Sequence, residues 1–202
     1  MTQFDARLYR ARDYPRMPWR NGGGTTQEVA CNPGGSTAGF EWRLSIADVG
    51  QDGGFSAFDG FQRIITVLEG AGIELTVDGR REPPLGPRRA YAFRGDAKVD
   101  CRLLDGPIRD FNLFYAPARW QARLQWLNAS CVFHSSARAV LLLNASDAPL
   151  ALAVDGASHE LPSRHDCLHI ETAGGLAEYR IEPATASAAL DACLIELLPV
   201  AA

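Results

Sequence analysis

Ile73-Glu-Leu-Thr-Val-Asp-Gly79 and Leu150-Ala-Leu-Ala-Val-Asp-Gly156 line up at an offset of 77 residues. In each, apolar side chains recur at every second position and the run ends on Asp-Gly, a hairpin signal. A Pro-containing stretch follows each copy (Pro83, Pro162), then another alternating segment (Tyr91–Phe93, Leu168–Ile170). Shared identity is confined to Val-Asp-Gly, but the order strand, turn, Pro stretch, strand is the same in both halves. That order favours a duplicated β unit.

The same texture extends outward. Trp42-Leu44-Ile46, Val99-Cys101-Leu103, Phe111-Leu113-Tyr115 and Tyr179-Ile181 alternate with period two, and Asp52-Gly53-Gly54 and Asp105-Gly106 supply further turns. Many short strands at this spacing indicate an all-β fold of two tandem cupin-like jelly-roll barrels, a bicupin. Pro117, Trp120 and Trp126 interrupt the alternation over Ala116–Leu127 and mark the join. The expected domains are therefore 1–116 and 117–202, packed as one compact unit. Few short helices are expected, at Phe4–Arg10, Phe55–Phe61 and Ala184–Cys193.

Composition supports a well-filled globular protein. The chain has 202 residues, 47% hydrophobic and 22% charged, which excludes general disorder. A chain this long buries about 70% of its unfolded surface without disulfide staples. The net charge is −4, and the 20 cationic residues (Lys98 the single lysine) are spread out, so no nucleic-acid footprint is formed. No apolar run approaches the length of a membrane span; Ala139–Leu143 is the longest. The start, Met1-Thr2-Gln3-Phe4-Asp5, lacks a signal-peptide layout. Five cysteines without a Cys-x-x-Cys pair argue against disulfides and for a reducing, cytoplasmic setting. Trp120 and Trp126 are assigned to packing or to a subunit contact, which leaves room for a homodimer.

Chemistry begins with what is missing. All four histidines (134, 159, 165, 169) lie in the second half. On a strand, His165 and His169 would stand about 13 Å apart along one face, too far to share a metal bound at about 2 Å. No metal and no cofactor is expected. No Gly-x-Ser-x-Gly nucleophile appears, and Asn21-Gly22-Gly23-Gly24-Thr25-Thr26 lacks the Gly-Lys ending of a phosphate loop. Its glycines permit a small anion on backbone N–H groups or a plain turn between strands.

These motifs form an ordered series. Met17-Pro18-Trp19-Arg20-Asn21-Gly22-Gly23-Gly24-Thr25-Thr26-x-Glu28 is followed by Phe40-x-Trp42-Arg43-Leu44-Ser45-Ile46-Ala47 and Gly54-Phe55-Ser56-x-Phe58-x-Gly60. Arg63, Val67-Leu68-Glu69-Gly70, Gly95-Asp96 and Gly106-Pro107-x-x-Asp110-Phe111-Asn112-Leu113 complete it. The series resembles the HutD/Ves family of small bacterial cupin-like proteins, whose HutD branch is encoded with histidine-utilisation genes. It covers about Pro15 to Tyr115; the remainder matches by strand pattern and length. One departure is Arg20, where the family more often has Lys, which changes hydrogen-bond geometry. The resemblance implies a bicupin without catalytic metal, a pocket in the first barrel and a role in regulating histidine catabolism. It also implies pathway carboxylates such as N-formylglutamate or urocanate as ligands. Ves-branch members are instead described as environmental stress-induced.

Read physically, Arg43 and Ser45 share the strand face opposite Trp42, Leu44 and Ile46, and with Arg63 they suit a carboxylate. Asn112 sits opposite Phe111 and Leu113 and, if buried, needs polar partners. Glu28 either orders Arg20 or Arg43 or contacts the ligand. Trp19, Phe55 and Ser56 complete the candidate wall, with Arg20 and Asn21 beside Trp19. The expected partner is a small anionic metabolite. The competing reading is a metal-independent isomerase or hydrolase with Glu28 as base; no catalytic residue is assigned.

Overall fold

The computed structural model describes residues 3–19, 22–32 and 39–200. It is all-β, with 19 strands among those residues and a 3-10 turn at Ala11–Asp13. Two compact units emerge: Pro15–Arg119, and a second that joins the segment ending at Tyr14 to the chain from Trp120 onward.

The first unit pairs a six-stranded sheet with a four-stranded one. The larger runs β2 (Arg16–Pro18), β3 (Gly24–Asn32), β4 (Trp42–Val49), β11 (Ile108–Tyr115), β6 (Gln62–Glu69), β9 (Ala90–Arg94). The smaller runs β5 (Gly53–Gly54), β10 (Val99–Leu103), β7 (Ile73–Val77), β8 (Arg80–Arg81). The second unit repeats this plan. Its five-stranded sheet is β1 (Phe4–Tyr9), β17 (Cys167–Thr172), β14 (Ala139–Asn144), β19 (Ala192–Pro199), β12 (Trp120–Leu127). Its four-stranded sheet is β13 (Cys131–Ser135), β18 (Ala177–Pro183), β15 (Leu150–Val154), β16 (Ala157–Leu161).

The order β4-β11-β6-β9 matches β12-β19-β14-β17, and β5-β10-β7-β8 matches β13-β18-β15-β16. The turns match in detail. Asp78 (φ 49°) and Asp155 (φ 46°) both lie in the left-handed region, each followed by a positive-φ glycine. Asp78 Oδ1 accepts from Lys98 N–H at 2.9 Å and Asp155 Oδ1 from Glu178 N–H at 3.0 Å. Short polar side chains tolerate this backbone where others clash, which is why Asp-Gly marks both hairpins.

Four sequence expectations need correction. Phe4–Arg10 is not helical: Phe4, Ala6 and Leu8 pack on the second unit's core while Asp5 and Arg7 alternate away, so period two wins. Phe55–Phe61 is a loop, and Ala184–Cys193 is turns that run into β19. The domain boundary also differs from 1–116. Trp120–Leu127 is a strand paired with β19, so the join contracts to 116–119, and β1 pairs with β17 in the second unit. The N-terminal segment is fastened there by Ala11 N–H to Asp166 Oδ1 at 2.8 Å and Tyr14 O–H to the His165 carbonyl at 2.7 Å.

Candidate functional site

In the first barrel, strand register sorts the six-stranded sheet into two faces. Trp42, Leu44, Ile46, Phe111 and Leu113 lie on one and are fully buried. The other faces the barrel interior in three cross-strand rows. Phe93, Arg63, Phe114, Arg43 and Cys31 make the first; Tyr91, Ile65, Asn112, Ser45 and Glu28 the second; Val67, Asp110, Ala47 and Thr26 the third. A bulge between Glu28 and Ala30 returns Cys31 to the same face as Glu28. Part of these rows floors a cavity of about 460 Å³ lined by Trp19, Arg43, Ser45, Phe55, Ser56, Arg63, Asp110, Asn112 and neighbours.

Arg63 is 7% exposed, and burial pulls its pKa down to about 10, so it stays charged at neutral pH. Its Nε–H and Nη2–H both donate to Asn112 Oδ1, at 2.9 and 2.6 Å. The Asn112 amide N–H donates onward to Asp110 Oδ1 at 2.6 Å, which fixes the amide's orientation. This side-on use of the guanidinium leaves its end-on edge for a ligand. Burial pushes the Asp110 carboxyl up to about 6, against the pull of Arg63 and of hydrogen bonds from Asn112 and the Ala47 backbone.

Arg43 approaches from the other side of Phe114. The Phe114 ring lies 5.0 Å from the Arg43 guanidinium and 5.1 Å from that of Arg63. Phe40 and Phe58 flank Arg43 at 4.8 and 5.3 Å, and Phe55 covers Arg63 at 4.2 Å. Burial lowers the Arg43 pKa, with Glu28 opposing, and Arg43 Nε has no hydrogen-bond partner. Among the described residues neither arginine forms an ion pair. Two cations thus share a partly apolar cavity, Arg63 with its end-on edge and Arg43 with its Nε–H uncommitted, an arrangement suited to a small planar anion.

The remaining expected residues divide. Trp19 lines the cavity, its Nε1–H on Thr26 Oγ1 at 2.8 Å. A Cβ on Gly24 would strike the Asp48 carbonyl and come within 3.1 Å of the Trp19 ring, so a glycine is needed there. Phe55 and Ser56 sit on the 55–61 loop, held by Phe58 N–H on the Gly95 carbonyl and Gly95 N–H on the Phe61 carbonyl, both 2.7 Å. Glu28 stands behind Arg43, off the cavity wall, with Oε1 accepting from Cys31 Sγ at 3.4 Å. Arg20 and Asn21 lie outside the described residues. The glycine run turns β2 into β3, with Gly22 N–H committed to the Trp19 carbonyl; Asp48 and Glu69 beside it disfavour an anion. Sequence reasoning missed Asp110, Phe58 and Phe114 as site residues. The signal was available for two of them: Asp110, Asn112 and Phe114 share one strand face.

His165 is not on a strand. It occupies the turn before β17 with φ 66°. Among the described residues no cluster of three His, Cys, Asp or Glu is placed to hold a metal. No helix there is long and apolar enough to cross a membrane.

Paired antiparallel sheets enclosing a pocket define a cupin-type protein. A cupin 2 barrel protein from Leptotrichia buccalis shares the fold alone, with TM-score 0.52 and 9% identity over 86% of this chain and 88% of its own. The chain belongs to the HutD family, whose sequence model matches residues 11–189. It is 52% identical over 164 residues to an uncharacterised 21.2 kDa protein in the hutC 3′ region of Pseudomonas putida, covering 81% of this chain and 86% of that one. HutD from Pseudomonas fluorescens SBW25, solved in a formate condition, superposes with TM-score 0.84 and 46% identity, covering 98% and 100%. Protein Ves of Escherichia fergusonii is 38% identical over 105 residues, 50% of this chain and 54% of its own.

Proposed function

We propose that this chain is an accessory protein of histidine catabolism that binds a small carboxylate, such as N-formylglutamate or urocanate, in its first barrel. It acts in the cytoplasm on a free metabolite, without direct contact with nucleic acid or membrane, and any regulatory effect passes through the liganded state. The observation that carries this reading is the pair Arg43 and Arg63, converging across Phe114 on one cavity with no carboxylate in an ion pair with either. Charge-assisted hydrogen bonds in a sheltered site contribute about 1.5–3 kcal/mol each, enough for selective binding. The likeness to HutD of Pseudomonas fluorescens and to the hutC-linked relative supports the metabolic setting. Glu28, the base an enzymatic reading needs, does not reach the cavity wall.

Calorimetric titration with N-formylglutamate, urocanate and histidine, with acetate as control, tests this. One pathway acid binds stoichiometrically, and Arg63→Ala weakens it at least tenfold, about 1.4 kcal/mol, with an unchanged circular-dichroism spectrum. Binding unaffected by Arg63→Ala removes the site assignment. Absence of heat and of thermal shift for all three acids turns the function toward the stress-induced Ves branch.

A further inference from the structure

Asp110 looks out of place in an anion site. It is 1% exposed, and its charge is the counter-charge of Arg63, transmitted through one neutral amide. The groups around it come from several elements. Arg63 faces it from β6, Ala47 of β4 bonds it through the backbone, and Asp48, on the other face of β4, acts on it by charge alone; Asn112 lies on its own strand. From β10 the Cys101 thiol, pushed up to about 12 chiefly by burial, stays protonated. Arg43 has its own nearby carboxylate in Glu28. On the cavity wall Asp110 is thus the one carboxylate set against two cations, with Glu28 behind Arg43.

A ligand carboxylate seated on the end-on edge of Arg63 puts a second anion on one buried cation. Where water is excluded, two anions sharing a cation raise each other's proton affinity, and the more deeply buried one protonates. We propose that carboxylate binding at Arg63 is coupled to uptake of one proton by Asp110, which makes Asp110 the residue that sets the affinity of the site. This rests on the carboxylate-binding reading above. The balance is one carboxylate and one proton in, no net charge added. Protonated Asp110 keeps an oxygen for the Asn112 amide, so the clamp on Arg63 survives the change.

The sign follows from linkage. Below about pH 6 Asp110 is already protonated in the empty cavity and affinity is at its ceiling. As pH rises, each binding event must draw a proton from solution, and affinity falls until the pH passes the higher pKa of the bound state.

The test is calorimetric titration of the whole chain with N-formylglutamate, whose carboxylates stay ionised from about pH 5.5 to about pH 8.5. Two buffers of different ionisation heat report the protons taken up. Wild type takes up about 0.8 proton per ligand near pH 7 and binds roughly 25-fold more weakly at pH 8 than at pH 6, as a shift of about two pKa units requires. Asp110→Asn, isosteric and still an acceptor for Asn112, takes up none and binds with the same affinity across the range, more tightly than wild type at pH 8. Wild-type binding that is pH-independent with no proton uptake overturns the coupling and leaves the carboxylate site standing. Uptake that persists in Asp110→Asn overturns the assignment to Asp110. If neither N-formylglutamate nor urocanate, run in the same way, binds wild type at any pH, the site reading and the coupling fall together.

Discussion

The two barrels share strand order, register and hairpin turns, yet one encloses a cavity and the other a filled apolar core. Following the pairing across β6 and β14 matches Arg63 with Val140, Ile65 with Leu142 and Phe93 with Ile170. Following it across β11 and β19 matches Asp110 with Ala192, Asn112 with Leu194 and Phe114 with Glu196. The second barrel's Val140, Leu142, Ile170, Ala192 and Leu194 are fully or nearly fully buried in one cluster. Its counterpart of Arg43 is Arg123, which spends its charge on Glu196 at 3.1 Å. The fold therefore accepts either interior. The cavity of the first barrel goes with three interior positions that are polar together and satisfy one another, and with an arginine across the sheet that forms no ion pair among the described residues.

That comparison breaks most visibly at Asn112. Asn112→Leu gives the first barrel the second's residue but strips Arg63 and Asp110 of their shared partner. Leaving buried charges uncompensated costs about 3–5 kcal/mol, read as a lower urea midpoint. The triple exchange Arg63→Val, Asn112→Leu, Asp110→Ala removes the charges as well and regains most of that stability, because an apolar replacement of a buried ionic group is often neutral or better. Ligand binding stays absent in both. A triple variant no more stable than Asn112→Leu would show that the two interiors are not interchangeable.

Arg43→Met is the next largest effect and separates charge from packing. The methionine retains an apolar stem among Phe40, Phe58 and Phe114, so the unfolding midpoint holds or rises as the cost of burying a cation disappears. Carboxylate binding weakens by about 1.5–3 kcal/mol, the worth of a charge-assisted bond, measured by calorimetry. Equal binding by wild type and variant would leave Arg63 as the sole anchor.

A glycine marks another divergence. Gly95 N–H bonds the Phe61 carbonyl, and in the second barrel Thr172 N–H bonds the Arg138 carbonyl at the matching place. A Cβ on Gly95 would run into the Phe58 carbonyl, whereas Thr172 fills that space and its Oγ1 donates to the Ala137 carbonyl at 3.1 Å. Gly95→Thr therefore displaces the loop carrying Phe55, Ser56 and Phe58, costs about 1–3 kcal/mol of overpacking and loosens the cavity rim. Weakened binding alongside a lowered melting temperature is the expected pair of readouts; unchanged binding would detach the loop from the site.

How far the sequence discloses all this follows from the length scale of each signal. Alternation and Asp-Gly turns are local, so the duplicated β plan is legible, and so is the shared face of Arg43 and Ser45. The 77-residue offset in fact runs further than the Val-Asp-Gly identity indicates, since it also links Arg63 to Val140 and Gly95 to Thr172. Phe4–Tyr9 misleads because a six-residue strand is too short to separate period two from a helical turn until its partner, β17, is known. Asp110 misleads differently. Next to Arg109 in the chain it resembles a surface position, and only the pairing of three strands sets it under Asn112 and Arg63.

The smallest effects belong where the barrels have not diverged. Asp78 and Asp155 occupy matching left-handed positions and accept equivalent backbone hydrogen bonds. Asp78→Ala and Asp155→Ala each forfeit one exposed side-chain bond and place a less tolerant residue at positive φ. Each costs about 0.5–1.5 kcal/mol, equal within error by chemical denaturation, and neither alters carboxylate affinity. Losses that differ between the two turns would mean that the barrels differ in local stability as well as in interior chemistry. Equal losses would confine the divergence to the side chains that face inward, which is where the Arg63, Asn112 and Asp110 chain places it.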